Sequence, residues 1–256
     1  MFLLNNLGIQ ELPKLGVIGK KTDNRTLLFQ NYVSLPSIPI SSNNREKITT
    51  LGAMGNLQLG DCTEATSGHA IQACSANNNN QIIIPDADII AQYSLDSGYD
   101  PKTGARDNGC YDLDVIKRLA DTGLAGHKVI AYTSTGITRV DMIKASCYIL
   151  GGVRLCGLLP IALQSQTIWK DPKGNLTGIN EPNSWGGHSF YGVDYDETYL
   201  YIISWGQIIP VEWGWWLAYG DEIHPCLLDD WIKNGIAPNG LYMESLIKDV
   251  QALKAP

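Results

Sequence analysis

The chain has 256 residues and a net charge of −7 at pH 7, from 19 basic and 26 acidic side chains. Hydrophobic residues make up 44% of it, which predicts a globular protein of one large domain or two small ones. The basic residues form no run longer than Lys20-Lys21. We therefore expect no nucleic-acid partner, because binding phosphates requires a basic surface. No apolar run reaches the ~20 residues that a membrane-spanning helix needs.

The N-terminus and the cysteines predict the cellular compartment. The first residues lack the basic stretch and the apolar core of a secretory signal. The six cysteines lie far apart with no Cys-x-x-Cys pair. Such a distribution is typical of reduced intracellular thiols rather than of a disulfide framework or a zinc site. We expect neither a metal nor a cofactor.

Taken in chain order, the sequence begins with a segment of little periodicity. Residues 1–50 contain three prolines and predict an extended N-terminal arm ahead of a domain over 51–256. The spacing of apolar residues predicts helices over 61–76, 86–94, 113–122 and 138–150. Thr138 is the predicted N-cap of the fourth helix, with Asp141 three residues on as in a capping box. We expect strands over 153–159, 189–193 and 200–205, and a short strand at 82–84.

The two halves of the domain differ in composition. The first half is helical, whereas the second half is rich in β-prone residues and holds all seven tryptophans. We predict an α+β fold with a helical N-terminal lobe over residues 51–135 and an antiparallel, β-rich C-terminal lobe over residues 136–256. The cluster Trp213, Trp215 and Trp216 is predicted to pack in the core of the second lobe. A functional site is expected between the lobes.

Cys62 is the first candidate for chemistry. Gly60 interrupts the preceding loop, and Asp61 and Glu64 form a D-x-x-E pattern that predicts a capped helix with Cys62 in its first turn. The positive end of the helix dipole and the unpaired N–H groups there favour a thiolate, which is the nucleophilic form. A low thiol pKa is therefore expected.

His188 is the second candidate. The β-prone runs on either side of residues 194–198 predict a hairpin that pairs His188 with Ser204, or with Ile203 after a shift of one residue. A cysteine at a helix start and a histidine on a distant strand commonly form a nucleophile and its base.

These residues, in this order, resemble the papain-like cysteine peptidases. Asn56 lies six residues before Cys62, Gly187 precedes His188, and a later strand ends in Ile203-Ser204-Trp205-Gly206. The resemblance implies Cys62 as nucleophile and His188 as general base and acid. It implies that the side-chain amide of Asn56 or Gln58, together with the Cys62 backbone N–H, stabilises the oxyanion.

More narrowly, the motifs Gly-Asn-x-Gln-x-Gly-Asp-Cys-Thr over residues 55–63 and Trp-Gly-Gly-His over residues 185–188 look like a group of papain-like proteins encoded largely by bacteriophages and bacteria. This likeness implies a cytoplasmic or virion-associated protein, whose residues 1–50 could contact other virion proteins. The 61 residues before Cys62 are too few for the inhibitory propeptide of secreted papain-like zymogens, so no such pro-segment is expected.

Three positions depart from the papain-like pattern. Thr63 replaces the tryptophan after the cysteine, Asn56 replaces the oxyanion glutamine, and Ile203 replaces the asparagine that orients the histidine. An isoleucine accepts no hydrogen bond, so the hydroxyl of Ser204 is the candidate orienting group.

Three hypotheses of function follow. The first is a cysteine hydrolase that cleaves an amide bond in a peptide, an isopeptide or a cell-wall peptide. The alternative is a catalytically weakened papain-like module with a structural or binding role, such as a bacteriophage virion component, which Ile203 favours. A third is an acyl-transferring enzyme that uses the same pair of residues. The expected partner is a peptide-like substrate or another protein.

Overall fold

The structure is a computed structural model that describes residues 12–31, 38–232, 236–238 and 248. The described part of the chain holds five α-helices. They are α1 (Cys62–Asn77), α2 (Asp86–Ser97), α3 (Asp112–Asp121), α4 (Val140–Leu150) and α5 (Trp213–Tyr219). None of these helices is long and apolar enough to cross a membrane. Part of the predicted N-terminal arm, over residues 1–11 and 32–37, lies outside the described residues.

Eight strands form two sheets in the described part. They are β1 (Leu27–Leu28), β2 (Val129–Ser134), β3 (Val153–Leu159), β4 (Gly186–Tyr195), β5 (Tyr199–Ser204), β6 (Gln207–Glu212), β7 (Gly220–His224) and β8 (Cys226–Leu228). The larger sheet is antiparallel with the order β6-β5-β4-β3-β7, and the smaller has the order β1-β2-β8. The α+β prediction is confirmed.

Helix α1 passes through the middle of the molecule, and all sixteen of its residues are buried. Its sequence explains this placement, because the helix is built largely from Ala, Ser, Thr, Cys and Gly, whose small side chains allow neighbours on every side to approach. At Gly68, for example, an added Cβ would lie 2.9 Å from the Cδ1 of Ile89 on α2. The helix packs mainly against β4, which brings the two predicted functional segments together.

Two hydrophobic clusters form the core. One surrounds α1 and joins residues from both halves of the sequence, among them Ile71, Ile116, Tyr191 and Ile203. The other lies on the opposite side of the larger sheet and contains Trp169, Trp205, Trp215 and Trp216. Trp215 and Trp216 are therefore in the core as predicted, and the half-buried Trp213 packs against this cluster from the same short helix α5.

Two local predictions are wrong. Residues 82–84 form no strand, because the Ile82 N–H donates to Ser75 Oγ at 2.9 Å instead of to a neighbouring strand. Helix α4 begins at Val140 rather than Thr138, and Asp141 pairs with Arg139 at 2.7 Å instead of closing a capping box. Strand β2 went unpredicted because its alternation is short and its pairing with β8 is distant in sequence.

Candidate active site

Cys62 is the first residue of α1, at the predicted position, but the predicted side-chain cap is not formed. The first turn is closed by the backbone, with the N–H groups of Glu64 and Ala65 donating to Asp61 O at 3.0 and 2.9 Å. The Asp61 carboxylate turns back and accepts from Asn56 Nδ2 at 3.2 Å. Glu64 accepts from Thr63 Oγ1 at 2.7 Å. The capping-box prediction is wrong because the carboxyl groups of Asp61 and Glu64 accept hydrogen bonds from the side chains of Asn56 and Thr63 instead of from the backbone of the first turn.

Strand β4 carries His188 to the start of α1. The backbone N–H of Ser189 donates to Cys62 Sγ at 3.4 Å. On the imidazole, Nε2 and Ser204 Oγ are 2.7 Å apart, while Nδ1 has no hydrogen-bond partner among the described residues. The fold therefore brings the strand that bears His188 against Cys62 and places the Ser204 hydroxyl on the imidazole.

The predicted hairpin register is off by two residues. Tyr191 lies opposite Ile203, and a bulge follows between Gly192 and Asp194, so Ser204 is not directly across from His188. The hydroxyl reaches the imidazole diagonally instead, which neighbouring antiparallel strands allow. Ile203 packs in the cluster around α1.

The candidate oxyanion donors lie close to Cys62 in sequence. Asn56 is buried, and its Nδ2 donates to Leu59 O at 3.3 Å and to Asp61 Oδ1 at 3.2 Å. Gln58 is exposed. An oxyanion role for either amide stays a prediction.

Burial controls the protonation of the two central groups. Cys62 and His188 have no exposed surface. Burial raises the pKa of the Cys62 thiol to about 12, against the lowering effect of the Ser189 and Gly16 N–H groups. Burial also lowers the pKa of His188 to about 3. Both groups are therefore neutral near pH 7, and the low thiol pKa expected from the helix dipole is wrong for this structure because removal from water outweighs the dipole.

Residues 12–19, here called the groove segment, lie across this site. Val17 forms bridges with Gly187 on one side and with Cys110 on the other. Val17 N donates to Gly187 O at 3.2 Å, Ile18 N donates to Cys110 O at 3.1 Å, and Cys110 N donates to Gly16 O at 2.8 Å. This stretch is shorter than a zymogen propeptide, yet its backbone pairs with both walls of the groove beside Cys62.

Close packing and an ion pair hold the groove segment. A Cβ on Gly16 would lie 1.7 Å from Gly60 O, so the segment passes the loop before Cys62 at a distance that admits no side chain. Lys14 Nζ lies 2.7 Å from Asp107 Oδ2. The groove segment thus helps to exclude water from the thiol.

A buried ionic network supports the site, and the sequence did not predict it. Arg154 pairs with Asp112 at 2.5 Å and donates to Thr63 O at 2.9 Å and Ser67 Oγ at 2.7 Å. Asp112 Oδ1 also accepts from Ser189 Oγ at 2.9 Å. The network therefore joins the first turns of α1 to the residue after His188. A lone arginine inside the apolar run Val153–Leu159 is the signal that could have revealed it, because a buried charge requires a partner.

Only one group of described side chains could hold a metal ion. The ligand atoms of His127, Asp229 and Asp230 lie within 4.8 Å of one another. His127 Nδ1 is hydrogen-bonded to Asp230 Oδ1 at 2.8 Å, and this contact accounts for the proximity of His127 and Asp230.

The sequence matches no protein-family model and no curated protein. Solved structures match the fold. Xylellain, a cysteine protease from Xylella fastidiosa, aligns with a TM-score of 0.63 at 14% identity, over 85% of this chain and 97% of that one. Digestive procathepsin L 3 of Tenebrio molitor aligns with a TM-score of 0.58 at 13% identity, over 82% and 75% of the two chains.

A third structure, the Carica candamarcensis cysteine protease CMS1MS2, aligns with a TM-score of 0.52 at 14% identity, over 74% of this chain and 99% of that one. Identities this low establish a likeness of fold and not of activity. The mixed helices, the antiparallel sheet and these neighbours together identify the fold of the chain as that of the papain-like cysteine proteases.

Proposed function

We propose that the chain is a papain-like cysteine hydrolase that cleaves an amide bond, with Cys62 as nucleophile and His188 as base and acid. One observation carries the proposal: the Ser189 N–H donates to Cys62 Sγ at 3.4 Å, so the strand that bears His188 lies directly against the sulfur. The neighbouring imidazole is held through Nε2 by Ser204.

The hydrogen bonds assign a role to each ring nitrogen. Because Nε2 is engaged by Ser204, Nδ1 is the atom left to accept the thiol proton. The thiolate of Cys62 then attacks the substrate carbonyl carbon, and the resulting oxyanion is stabilised by the Cys62 backbone N–H and the amide of Asn56 or Gln58. His188 protonates the leaving amine, and water activated by the same imidazole hydrolyses the thioester.

The groove supports a peptide-like substrate. The groove segment is an extended peptide, and it hydrogen-bonds through its backbone to Cys110 and Gly187. Main-chain pairing of this kind binds an extended chain irrespective of most side chains. We propose a peptide, an isopeptide or a cell-wall peptide as substrate. The substrate must displace the groove segment before it can reach Cys62.

A second candidate function is a weakened module with a binding or structural role, for instance as a bacteriophage virion component that contacts other virion proteins through residues 1–50. It is favoured by Ile203, which packs in the core at the place of the orienting asparagine, and by the covered thiol. A cytoplasmic or virion-associated location belongs with both proposals.

Hydrolysis of a mixed peptide library, followed by mass spectrometry, tests the two functions. The Gly16→Ala chain is the enzyme form to use, because the added Cβ cannot occupy the groove beside Gly60. We expect cleavage products that disappear in the Gly16→Ala/Cys62→Ser chain and fall at least about 100-fold with His188→Ala. A folded Gly16→Ala chain that yields no products would support the binding module instead.

A further inference from the structure

We propose that the groove beside Cys62 is selective for glycine: a peptide that follows the path of residues 14–18 must present glycine opposite Gly60. The proposal deepens the proposed function and rests on it for the chemistry, since it names the class of peptide that the hydrolase would accept. Its physical basis is the space around Gly16, the residue of the groove segment that lies opposite Gly60.

One wall of the groove excludes any side chain at this position. A Cβ on Gly16 would lie 1.7 Å from Gly60 O and 2.3 Å from Gly60 C. Both are main-chain atoms, which cannot rotate away as the end of a side chain could. Gly16 is not among the glycines with positive φ, so its own backbone conformation is open to any residue. Space alone therefore requires glycine there.

The opposite wall is also backbone. A Cβ on Gly109 would lie 1.9 Å from Gly16 O, and Gly109 has φ +80°, a conformation that other residues seldom adopt. The next residue, Cys110, donates its N–H to Gly16 O at 2.8 Å. The peptide is thus confined between Gly60 and Gly109, in a slot as thick as one backbone.

The flanking positions have room for apolar side chains. Leu15 lies over Gly186, where an added Cβ would meet its Cδ1 at 3.1 Å, and Val17 lies over Gly187, where an added Cβ would meet its Cβ at 3.2 Å. Leu15 also packs against the tryptophan-rich cluster. The groove therefore fits an extended sequence of the type apolar–glycine–apolar.

The selected glycine lies at the reactive sulfur. The Ser189 N–H donates to Cys62 Sγ at 3.4 Å, and the Gly16 N–H also lowers the pKa of that thiol. The peptide unit between Leu15 and Gly16 is therefore close to the sulfur. Residues on either side are held by hydrogen bonds of Val17 to Gly187 and of Ile18 to Cys110. The groove segment of the chain itself is therefore a peptide that fits the groove.

Two synthetic peptides test the selectivity on the full chain. The first has the sequence of residues 12–20, and the second differs only by alanine in place of Gly16. Both carry a fluorescent label and are titrated against the full-length Gly16→Ala/Cys62→Ser chain, in which the groove segment no longer fits and hydrolysis is removed. We expect the glycine peptide to bind at least about tenfold more tightly than the alanine peptide, because overpacking against backbone is poorly relieved.

A second readout follows Cys62 itself. Iodoacetamide should alkylate Cys62 faster in Gly16→Ala than in the wild-type chain, and the glycine peptide should restore protection while the alanine peptide should not. Gly136→Ala is the matched control, because a Cβ there meets nothing closer than 3.8 Å, and it should react like wild type. If Gly16→Ala fails to fold, Lys14→Glu replaces it. This change puts a like charge opposite Asp107 in place of the ion pair and should release the groove segment without a change inside the slot.

Equal binding of the two peptides, or equal alkylation of Cys62 in the wild-type and Gly16→Ala chains, would overturn the glycine selectivity. Neither readout requires hydrolysis. Selective binding without cleavage of any peptide would therefore defeat the hydrolase proposal alone. Cleavage that depends on Cys62 but tolerates alanine at this position would defeat the selectivity alone.

Discussion

The imidazole of His188 stacks on the indole of Trp205, with ring centroids 4.6 Å apart and planes 19° from parallel. Trp205 and Gly206 form the two-residue connection between β5 and β6, with φ +50° and +74°. Two positive φ values are typical of type I′ hairpin turns, whose first position favours Asn, Asp or Gly. A tryptophan there carries backbone strain of about 1–3 kcal/mol, which its packing on His188 and in the core offsets.

Replacing Trp205 should therefore change the pKa of His188. We expect Trp205→Asn to keep the turn but to expose one face of the imidazole to water, so the pKa of His188 rises from about 3 towards its ordinary value of 6.5. Titration of the histidine ring signals by NMR measures it. His69, whose pKa burial lowers to about 4, also contributes to the low pKa of His188, so its ring signals are followed in the same titration. A His188 signal that still titrates near pH 3 would show that Trp205 does not control its solvation.

Asp61 should reduce stability as the pH rises from about 4 to about 8. Burial and the neighbouring Glu64 raise its pKa to about 8 from 3.8, so the folded state holds a proton that the unfolded state loses above about pH 4. Stability linked to this group is thus present at low pH and falls as pH rises to about 8. We expect Asp61→Asn to raise the free energy of unfolding by about 1–3 kcal/mol at pH 8 and to change it little at pH 4.

Urea denaturation at both pH values checks this expectation. Asp141→Asn is the control, because that carboxylate forms an exposed pair with Arg139 and should have little effect at either pH. A gain from Asp61→Asn of the same size at pH 4 and pH 8 would mean that protonation is not the cause.

Removing one partner of the Arg154–Asp112 pair should lower the free energy of unfolding, because the other charge stays buried without a counter-charge. Both side chains are at least 99% buried, so Arg154→Met leaves an unpaired carboxylate and should lower the free energy of unfolding by about 3–5 kcal/mol. The double change Arg154→Met/Asp112→Leu should recover part of the loss. Chemical denaturation of the two variants measures it, and Arg139→Met at the surface should have a small effect. A double variant less stable than Arg154→Met would contradict the unpaired charge as the cause.

Ser204 and Ile203 should have separable roles. Ser204→Ala removes the hydrogen bond to His188 Nε2. In the Gly16→Ala chain we therefore expect this change to lower kcat about tenfold, with little change in KM or in stability. Ile203→Asn should not supply an orienting amide, because Ile203 packs in the core around α1. It should instead lower the free energy of unfolding by about 2–5 kcal/mol.

Steady-state kinetics on the peptides identified by library cleavage, with thermal melts of both variants, separates these outcomes. Faster hydrolysis by Ile203→Asn would contradict the placement of Ile203 in the core. Unchanged kcat in Ser204→Ala would remove Ser204 from the orienting role.

Much of the fold was predictable because it is local. Gly60 and the helical pattern after Asp61 predicted a helix with Cys62 in its first turn, and the helix begins at Cys62. Gly123 follows α3 in the left-handed conformation with φ +81°. The composition change towards β-prone residues predicted the sheet that carries His188. Spacing and turn residues act over a few positions, so they can be read directly from the sequence.

Other features depend on packing between residues distant in sequence. The bulge after Gly192 shifts the hairpin and brings Ser204 to His188 diagonally, and no turn signal encodes that shift. The groove segment lies beside Cys62 because Gly16, Gly60 and Gly109 meet there. In the sequence, however, Gly60 and Gly109 lie 44 and 93 residues after Gly16. The protonation of Cys62 was likewise decided by tertiary structure. The helix dipole favours a thiolate, but complete burial removes the water that would solvate its charge and keeps the thiol neutral.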